Sequence, residues 1–233
     1  MRNAADSFKR VTLELGGKSP TIILDDADLT TAVPLAIQAG FMNSGQACIA
    51  GTRILVPLSR KAECEEALRR AVAAVKSGDP LDPQTEIGPM VSEKQWQRVQ
   101  GYIRLGLEEG ARLLAGGEGR PENSGQGWFV KPTLFTDVDN NMRIAREEIF
   151  GPVLSMISYR DDDDAVAIAN DTDYGLSALV LGTDARRAQR IGERIASGRV
   201  QINTLAHEAG APFGGFKHSG IGREMGRWGI AAF

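Results

Sequence analysis

Short apolar runs alternate with amphipathic segments along most of the 233-residue chain. Residues 153–159, VLSMISY, have the length and composition of a buried strand, and a segment of helical pattern follows at 161–169. Residues 178–181, 185–196 and 199–203 repeat the order strand, helix, strand. This alternation predicts an α/β fold with an open, largely parallel twisted sheet and helices on both faces.

The N-terminal third continues the pattern. Residues 11–15 and 21–24 are strand-like, and Gly or Asp pairs end them. Asp28 is a suitable N-cap for a helix that extends to about Asn43. Residues 53–56 predict another strand, and 60–77 predict a charged amphipathic helix.

Two later segments carry capping or turn signals. Ser92 with Gln95 forms a capping-box pattern, which predicts a helix that ends near Glu109. Residues 115–127 predict a loop or hairpin. Residues 211–226 hold too many glycines for an ordinary helix, so we expect a loop packed closely against another part of the chain. Their spacing does not fit a dinucleotide-binding turn directly after a strand.

Composition excludes several classes of protein. The 27 basic and 30 acidic residues are intermixed and give a net charge of -3, so no nucleic-acid-binding face is indicated. No apolar run approaches the roughly 20 residues that span a bilayer, and the N-terminus lacks a signal-peptide core. These features predict a cytoplasmic protein without a membrane partner. Two cysteines and two histidines cannot form a disulfide framework or a closed zinc site, and we predict no metal.

The two cysteines occupy different contexts. Cys48 lies in GQACIAGTR, an irregular connection between a predicted helix and a predicted strand. It is either a small buried hydrophobe or a nucleophile whose charge free backbone N–H groups would stabilise. Cys64 lies among Glu63, Glu65 and Glu66, whose charges disfavour a thiolate, so we interpret Cys64 as structural.

Two carboxylates and two histidines are further candidates. Glu14 lies within a short predicted strand, where it either faces water at an edge or has a specific task. Glu148 precedes an aromatic residue and Gly-Pro, and the alternative to a functional role is a solvated helix end. His207 or His218 could serve Cys48 as a base in a Cys-His hydrolase, although neither lies in a recognisable setting.

Four motifs together resemble the aldehyde dehydrogenase superfamily in their order and approximate spacing. They are LELGGKSP at 13–20, GQAC at 45–48, EIFGP at 148–152 and PFGGFK at 212–217. The resemblance covers the whole chain, which looks like the C-terminal, catalytic half of a hydrolytic NAD(P)-dependent member.

The resemblance implies catalytic roles for Cys48 and Glu14. In that family the cysteine of GQxC attacks the aldehyde to give a thiohemiacetal, which passes a hydride to NAD or NADP and becomes a thioester. The glutamate of ELGGK, here Glu14, then activates the water that releases the acid. Relatives that transfer the acyl group to coenzyme A typically lack this glutamate, so Glu14 favours the acid-forming class.

The resemblance also implies binding residues. Glu148 matches the residue that hydrogen-bonds the nicotinamide ribose, with Phe150 beside it, and the backbone near Leu15 matches the contact to the nicotinamide. Phe213 matches an aromatic wall of the aldehyde tunnel. Residues 205–210 match the loop where substrate preference usually varies.

By the same resemblance, residues 1–16 are a remnant of the cofactor-binding domain, 17–205 are the catalytic α/β domain, and 206–233 complete the substrate channel. We expect a chain truncated at both ends, which alone binds dinucleotide poorly and is not a competent dehydrogenase. The full-length enzyme is expected to be a homo-oligomer that acts on a small aldehyde. The alternatives are a cofactor-independent cysteine hydrolase or thioesterase, and a non-catalytic assembly fragment.

Overall fold

The computed structural model describes residues 1–122 and 124–232. Asn123, in the predicted loop or hairpin, and Phe233, in the segment 206–233 that is expected to complete the substrate channel, lie outside this description. The strands are β1 (Leu13–Glu14), β2 (Pro20–Ile23), β3 (Arg53–Pro57), β4 (Arg112–Ala115), β5 (Thr133–Thr136), β6 (Val153–Tyr159), β7 (Ser177–Leu181), β8 (Arg199–Ile202) and β9 (Gly220–Ile221). The α-helices are α1 (Arg2–Ala5), α2 (Leu29–Phe41), α3 (Lys61–Ala74), α4 (Glu93–Glu108), α5 (Arg143–Arg146), α6 (Asp162–Asn170), α7 (Ala185–Gly192) and α8 (Gly226–Ala231).

Seven strands form one sheet, in the order β4-β5-β6-β3-β2-β7-β8. All neighbouring pairs are parallel except β4 and β5, which are antiparallel. The predicted α/β fold with a largely parallel sheet is confirmed. The bounds of β6 coincide with the predicted strand, whereas β4 was not predicted, because its RLLA sequence follows a helix directly and is too short to show a period.

Helices cover both faces of the sheet. The side chains of adjacent strand residues point to opposite faces, so Ile23 packs with α2 and α3 while Ile22 packs with α6 and α7. Helices α4 and α5 pack on the second face near β5 and β6, around Phe135 and Ile157. The parallel strands are therefore buried on both sides, which explains their continuous apolar runs.

The predicted helix starts are observed. The Asp28 side chain accepts a hydrogen bond from Thr30 N (2.9 Å), and Ser92 Oγ accepts one from Gln95 N (3.3 Å). The ends were placed too late in the sequence: α2 ends at Phe41 rather than Asn43, and α3 ends at Ala74 rather than Ser77. Val75 turns to an extended conformation with ψ 123°, which stops α3 before its polar tail.

A buried guanidinium connects the sheet to the second helical layer. Arg53 begins β3 and is fully buried. Its nitrogens donate to Lys18 O (3.0 Å), to Ile168 O and Ala169 O (both 2.9 Å) and to Asn140 Oδ1 (2.9 Å). Four acceptors satisfy the charged group without a carboxylate, so Arg53 fixes the chain next to the LGGK turn to the end of α6.

The C-terminal segment is more ordered than the sequence predicted. Strand β9 pairs antiparallel with β1, with Leu13 opposite Ile221, and α8 follows the glycines. The segment does pack closely against another part of the chain, because a Cβ at Gly220 would collide with the Leu13 carbonyl oxygen. The 11–15 run therefore contributes only a two-residue strand, in a ribbon separate from the main sheet.

Candidate active site

A left-handed turn delivers the cysteine loop. After α2, Asn43, Ser44 and Gly45 have φ values of 50°, 60° and 72° in succession. Two of these residues carry side chains, and each such left-handed residue costs of order 1 kcal/mol or more. The turn is held in place by Ser44, whose Oγ accepts from Gly88 N at 3.0 Å. Strain that is held by distant contacts is typical of functional sites.

Gln46 fixes the next part of the same loop. Its Oε1 accepts a hydrogen bond from Val91 N (2.9 Å), and its backbone oxygen accepts one from Asn43 Nδ2 (3.0 Å). Sequence reasoning missed these roles of Gln46 and Ser44. The available signal was the polar cluster NSGQ between two apolar elements, which indicates side chains that bond to backbone rather than to water.

Cys48 is half-buried in this loop. Burial raises the pKa of its thiol, and the carboxylates of Glu148 and Glu14 raise it further, while its own N–H and that of Ile49 lower it. The resting group is thus a thiol near two carboxylates and two backbone donors. The LGG turn packs directly on this loop, because a Cβ at Gly17 would collide with the Cys48 carbonyl oxygen.

Glu14 carries a carboxylate without a partner. Both oxygens are buried and accept no hydrogen bond of normal geometry from the described residues. Burial raises the pKa of Glu14 and Glu224 adds to this, while the nearby Gly215 N–H and the Arg223 charge lower it. A Cβ at Gly214 would lie only 2.9 Å from Glu14 Oε1, so the glycine-rich segment closes over the carboxylate. A carboxylate that accepts no hydrogen bond from the protein can accept a proton from a bound water.

Glu148 contacts the LGG turn directly. Its Oε1 accepts a hydrogen bond from Gly17 N at 3.0 Å, and a Cβ at Gly16 would collide with its carboxylate. Burial raises the pKa of Glu148, while the Gly17 N–H, Lys18 and Arg98 lower it. The Glu148 carboxylate is therefore not at a solvated helix end, which was the alternative to a functional role. With Oε1 bonded to Gly17, the Oε2 atom is left to accept a hydrogen bond from a ligand hydroxyl.

The structure places Phe150 and Leu15 at the surface. Phe150 is 37% exposed and Leu15 is 48% exposed. Phe150 also has φ 60°, an unusual backbone conformation for an aromatic residue. The Gln95 side chain supports it by donating to Ile149 O (3.0 Å) and Phe150 O (2.7 Å). In a capping box Gln95 would bond to Ser92 N, so only half of the predicted box is present.

Lys18, the lysine of the LGGK motif, is a functional candidate that sequence reasoning missed. It is 1% exposed, and its Nζ donates no hydrogen bond to any residue that the structure describes. Burial and, to a lesser degree, the Arg53 charge lower the pKa of Lys18 to about 7, against the opposing effect of Glu148 and Glu147. The Lys18 ammonium group can therefore lose its proton near neutral pH, and its charge interacts with the Glu148 carboxylate.

A cavity of about 220 Å³ opens beside the cysteine loop. Ile49 lines it from the loop, Arg199 from β8, and Leu205 and His207 from the segment after β8. Phe213 stands next to it, because the Arg199 guanidinium lies 6.0 Å from the centre of the Phe213 ring. Two residues of the predicted specificity loop, 205–210, thus border the cavity.

The two histidines are not placed alike. His207 lines the cavity but is exposed, whereas His218 is exposed at a turn where its N–H donates to Asp173 O at 2.9 Å. The side chains that shift the pKa of Cys48 are carboxylates rather than imidazoles. Among residues 1–122 and 124–232 no cluster of three potential metal ligands occurs, and none of the helices is long and apolar enough to cross a bilayer.

Comparison with known proteins identifies the family. A model of the aldehyde dehydrogenase family matches residues 1–233. The chain belongs to the aldehyde dehydrogenase family. It also aligns over all 233 residues with a Staphylococcus saprophyticus relative, at 50% identity, and spans 49% of that relative. The chain therefore spans about half the length of the curated relatives it matches.

Solved structures of this family share the fold. The Pseudomonas syringae aldehyde dehydrogenase C, as a cysteine-to-alanine variant with NAD+ and octanal, is 49% identical with a TM-score of 0.97, over 100% of this chain and 48% of that one. A Mycobacterium tuberculosis aldehyde dehydrogenase with NAD+ is 53% identical with a TM-score of 0.96, over 98% of this chain and 47% of that one. A Staphylococcus aureus betaine aldehyde dehydrogenase with NAD+ is 42% identical, with a TM-score of 0.95 over 99% of this chain and 46% of that one.

Proposed function

We propose that this chain is the catalytic portion of a hydrolytic NAD(P)-dependent aldehyde dehydrogenase, with Cys48 as nucleophile and Glu14 as general base. The observation that carries the proposal is the pairing of a half-buried thiol with a nearby carboxylate that has no partner of its own. A thiol that forms an ester-like intermediate, and a free carboxylate that can activate water, are the two groups that oxidation to an acid requires.

The proposed reaction begins with Cys48. Its thiol gives up a proton to solvent and the sulfur bonds to the aldehyde carbon, while the N–H groups around the loop stabilise the resulting oxyanion of the thiohemiacetal. A bound nicotinamide supplies the hydride acceptor that turns this adduct into a thioester. Glu14 then takes a proton from water, the hydroxide attacks the thioester carbon, and the C–S bond breaks to release the carboxylic acid and the Cys48 thiolate.

The residues around the LGG turn fit NAD or NADP. The Glu148 Oε2 atom is available for a ribose hydroxyl, and Leu15 and Phe150 present apolar surface beside it. The relatives from Pseudomonas syringae, Mycobacterium tuberculosis and Staphylococcus aureus were solved with NAD+, which supports the assignment. We propose Glu148 as the ribose ligand, with Leu15 and Phe150 beside the nicotinamide.

The proposed substrate is a small aldehyde, with Phe213 as a wall of its channel. The octanal complex of the Pseudomonas syringae relative supports an aldehyde ligand. In the proposed domain division, residues 1–16 belong to the cofactor-binding domain, 17–205 to the catalytic domain and 206–233 to the channel. A cytoplasmic location fits a nucleophile that must stay reduced.

We further propose a homo-oligomer for the full-length protein. Ile221, Trp228 and Ile230 are 49%, 45% and 81% exposed, so the C-terminal segment presents apolar side chains for burial against another subunit. Sedimentation of the full-length protein as a monomer at micromolar concentration would contradict this.

Acylation by 4-nitrophenyl acetate tests the two catalytic assignments without a cofactor. We expect a burst of one 4-nitrophenolate per chain, with the acetyl group on Cys48 by mass spectrometry, and no burst in Cys48→Ser. Glu14→Gln should keep the burst but slow the release of acetate about 100-fold or more, so that acetyl-Cys48 accumulates.

Matched controls separate this function from the alternatives. Cys64→Ser and Glu63→Gln should behave like the parent chain, because Cys64 lies in the core and Glu63 is exposed on α3. Loss of the burst in His207→Ala or His218→Ala would favour the Cys-His hydrolase instead. Absence of any acylation at Cys48 would favour the non-catalytic assembly fragment.

A further inference from the structure

Arg199 has no charged partner. It starts β8 on the sheet face that carries the cavity, and its only side-chain hydrogen bond to the described residues is from Nε to Ser177 Oγ at 3.4 Å. No carboxylate of residues 1–122 or 124–232 lies within salt-bridge distance of it. Most other half-buried arginines here are neutralised: Arg187, for example, bridges Asp25 and Asp162. A half-buried guanidinium with free donors is a binding group for an anion.

The position of Arg199 relates it to the nucleophile. Desolvation lowers the pKa of Arg199, and the side chain of Cys48 offsets part of this effect. It lines the same cavity as Ile49, the residue that follows Cys48. Its guanidinium lies 6.0 Å from the centre of the Phe213 ring, the proposed channel wall. Arg199 thus lines a cavity next to the loop that carries Cys48.

The remaining lining does not neutralise this charge. No acidic residue lines the cavity within the described ranges, and its other polar side chains are those of Ser19, Thr21, Ser177, Gln201 and His207. Gln201 Nε2 donates to Ala206 O at 2.9 Å, and this neutral amide adds no charge to the lining. The volume of about 220 Å³ is below the roughly 300 Å³ from which pockets for drug-sized ligands begin, and it suits a short molecule.

We propose that Arg199 is a specificity-determining residue that binds a carboxylate on the substrate, so that the preferred aldehyde is a short semialdehyde with an acid group at its far end. This inference rests on the proposed function, because it takes Cys48 as the atom that the aldehyde end reaches. The guanidinium fork would hold the carboxylate through two N–H donors while the carbonyl carbon lies at the sulfur.

Alkylation of Cys48 tests the charge preference without cofactor or turnover. Iodoacetate and iodoacetamide both transfer a two-carbon group to the thiolate with loss of iodide, and they differ in the negative charge. We expect the rate ratio of iodoacetate to iodoacetamide at Cys48, read by peptide mass spectrometry, to fall roughly tenfold in Arg199→Gln. It should be largely retained in Arg199→Lys and unchanged in Arg186→Gln, a control at an exposed arginine of α7.

Protection by non-reactive ligands provides a second measurement on the unaltered chain. Butyrate and butyramide have nearly the same shape, and only butyrate carries a charge. Butyrate should slow the alkylation of Cys48 by iodoacetamide, butyramide should not, and the difference should shrink as salt is raised. This protection measurement still tests the carboxylate site if Arg199→Gln does not fold.

The outcomes distinguish the two proposals. If Cys48 reacts readily but the ratio is the same in Arg199→Gln, or butyramide protects as well as butyrate, the carboxylate site is wrong while the nucleophile stands. If Cys48 reacts no faster than Cys64 in the unaltered chain, the proposed function fails and the substrate assignment fails with it.

Discussion

The two cysteines of this chain show how differently a helix and a loop treat the same side chain. Cys64 lies on α3, fully buried in an apolar cluster, and burial raises its pKa to about 11. Cys48 lies in a strained loop, half-buried, near two carboxylates and two backbone donors. In a helix the backbone N–H and C=O groups bond to one another, so a thiol on it contributes only to packing. An irregular loop leaves N–H groups free, so the same thiol gains chemical partners.

The largest expected difference is in thiol accessibility. Cys64 has no exposed surface, so iodoacetamide can reach it only when the chain unfolds. Since unfolded populations of stable domains are about 10⁻³ or less, we expect Cys64 to react at least about 1,000-fold more slowly than it does in denaturant. Cys48 should react without unfolding. Labelling is measured peptide by peptide. Equal labelling of both thiols in the native protein would contradict the expected difference in accessibility.

Next in size is the loss of the buried guanidinium at the border between sheet and loop. Arg53→Met would leave three buried carbonyl oxygens and Asn140 Oδ1 without their donor. We expect a loss of about 3 kcal/mol in the free energy of unfolding by chemical denaturation. Arg186→Met, at an exposed site, should change it by less than about 0.5 kcal/mol. Similar values for both variants would show that Arg53 does not fix the loop.

A smaller effect is expected where Gln95 supports the strained Phe150. Gln95→Leu removes both hydrogen bonds to the carbonyl oxygens of Ile149 and Phe150. We expect a loss of about 1 kcal/mol in the free energy of unfolding. Gln97→Leu is the matched control, because Gln97 bonds only to an exposed side chain one turn away on the same helix. A greater loss in the control would contradict this role of Gln95.

The smallest expected effect concerns the pH dependence of Cys48. Glu148 and Glu14 both raise the pKa of the thiol, Glu148 more than Glu14. Replacing either by Gln removes a negative charge, so the thiolate should form at lower pH, with the larger shift in Glu148→Gln. The midpoint of the pH profile for alkylation by iodoacetamide measures this shift. An unchanged or higher midpoint would place these carboxylates too far from the thiol to matter.

The fold was predictable because its signals are local. Strand β6 shows its length and burial directly in the sequence VLSMISY, and Asp28 marks the start of α2 by its capping chemistry. Strand β9 and helix α8 were not predicted, because glycines remove the side-chain pattern on which such predictions rest. Their order comes from tertiary contacts, such as the approach of Gly220 to Leu13.

The residues of the candidate site were predictable only where they belong to one of the four motifs. The resemblance supplied Cys48, Glu14 and Glu148, and the structure brings all three around the LGG turn. The supporting roles of Gln46 and Gln95 were not predicted, because these side chains bond to backbone atoms 45 and 55 residues away in sequence. The spacing of residues in the sequence does not reveal such partners. The lack of a carboxylate near Arg199 among the described residues is likewise visible only in the structure.

The two-residue pairing of β1 with β9 makes the candidate site depend on contact between distant parts of the sequence. The ribbon joins positions 13–14 to 220–221, more than 200 positions apart, and the same C-terminal segment closes over the Glu14 carboxylate. Contacts of such long range form late, since their closure entropy must be offset by structure already in place. We therefore expect the sheet and the Cys48 loop to form before the Glu14 carboxylate is covered, and a protease cut between β8 and β9 would uncover this carboxylate again.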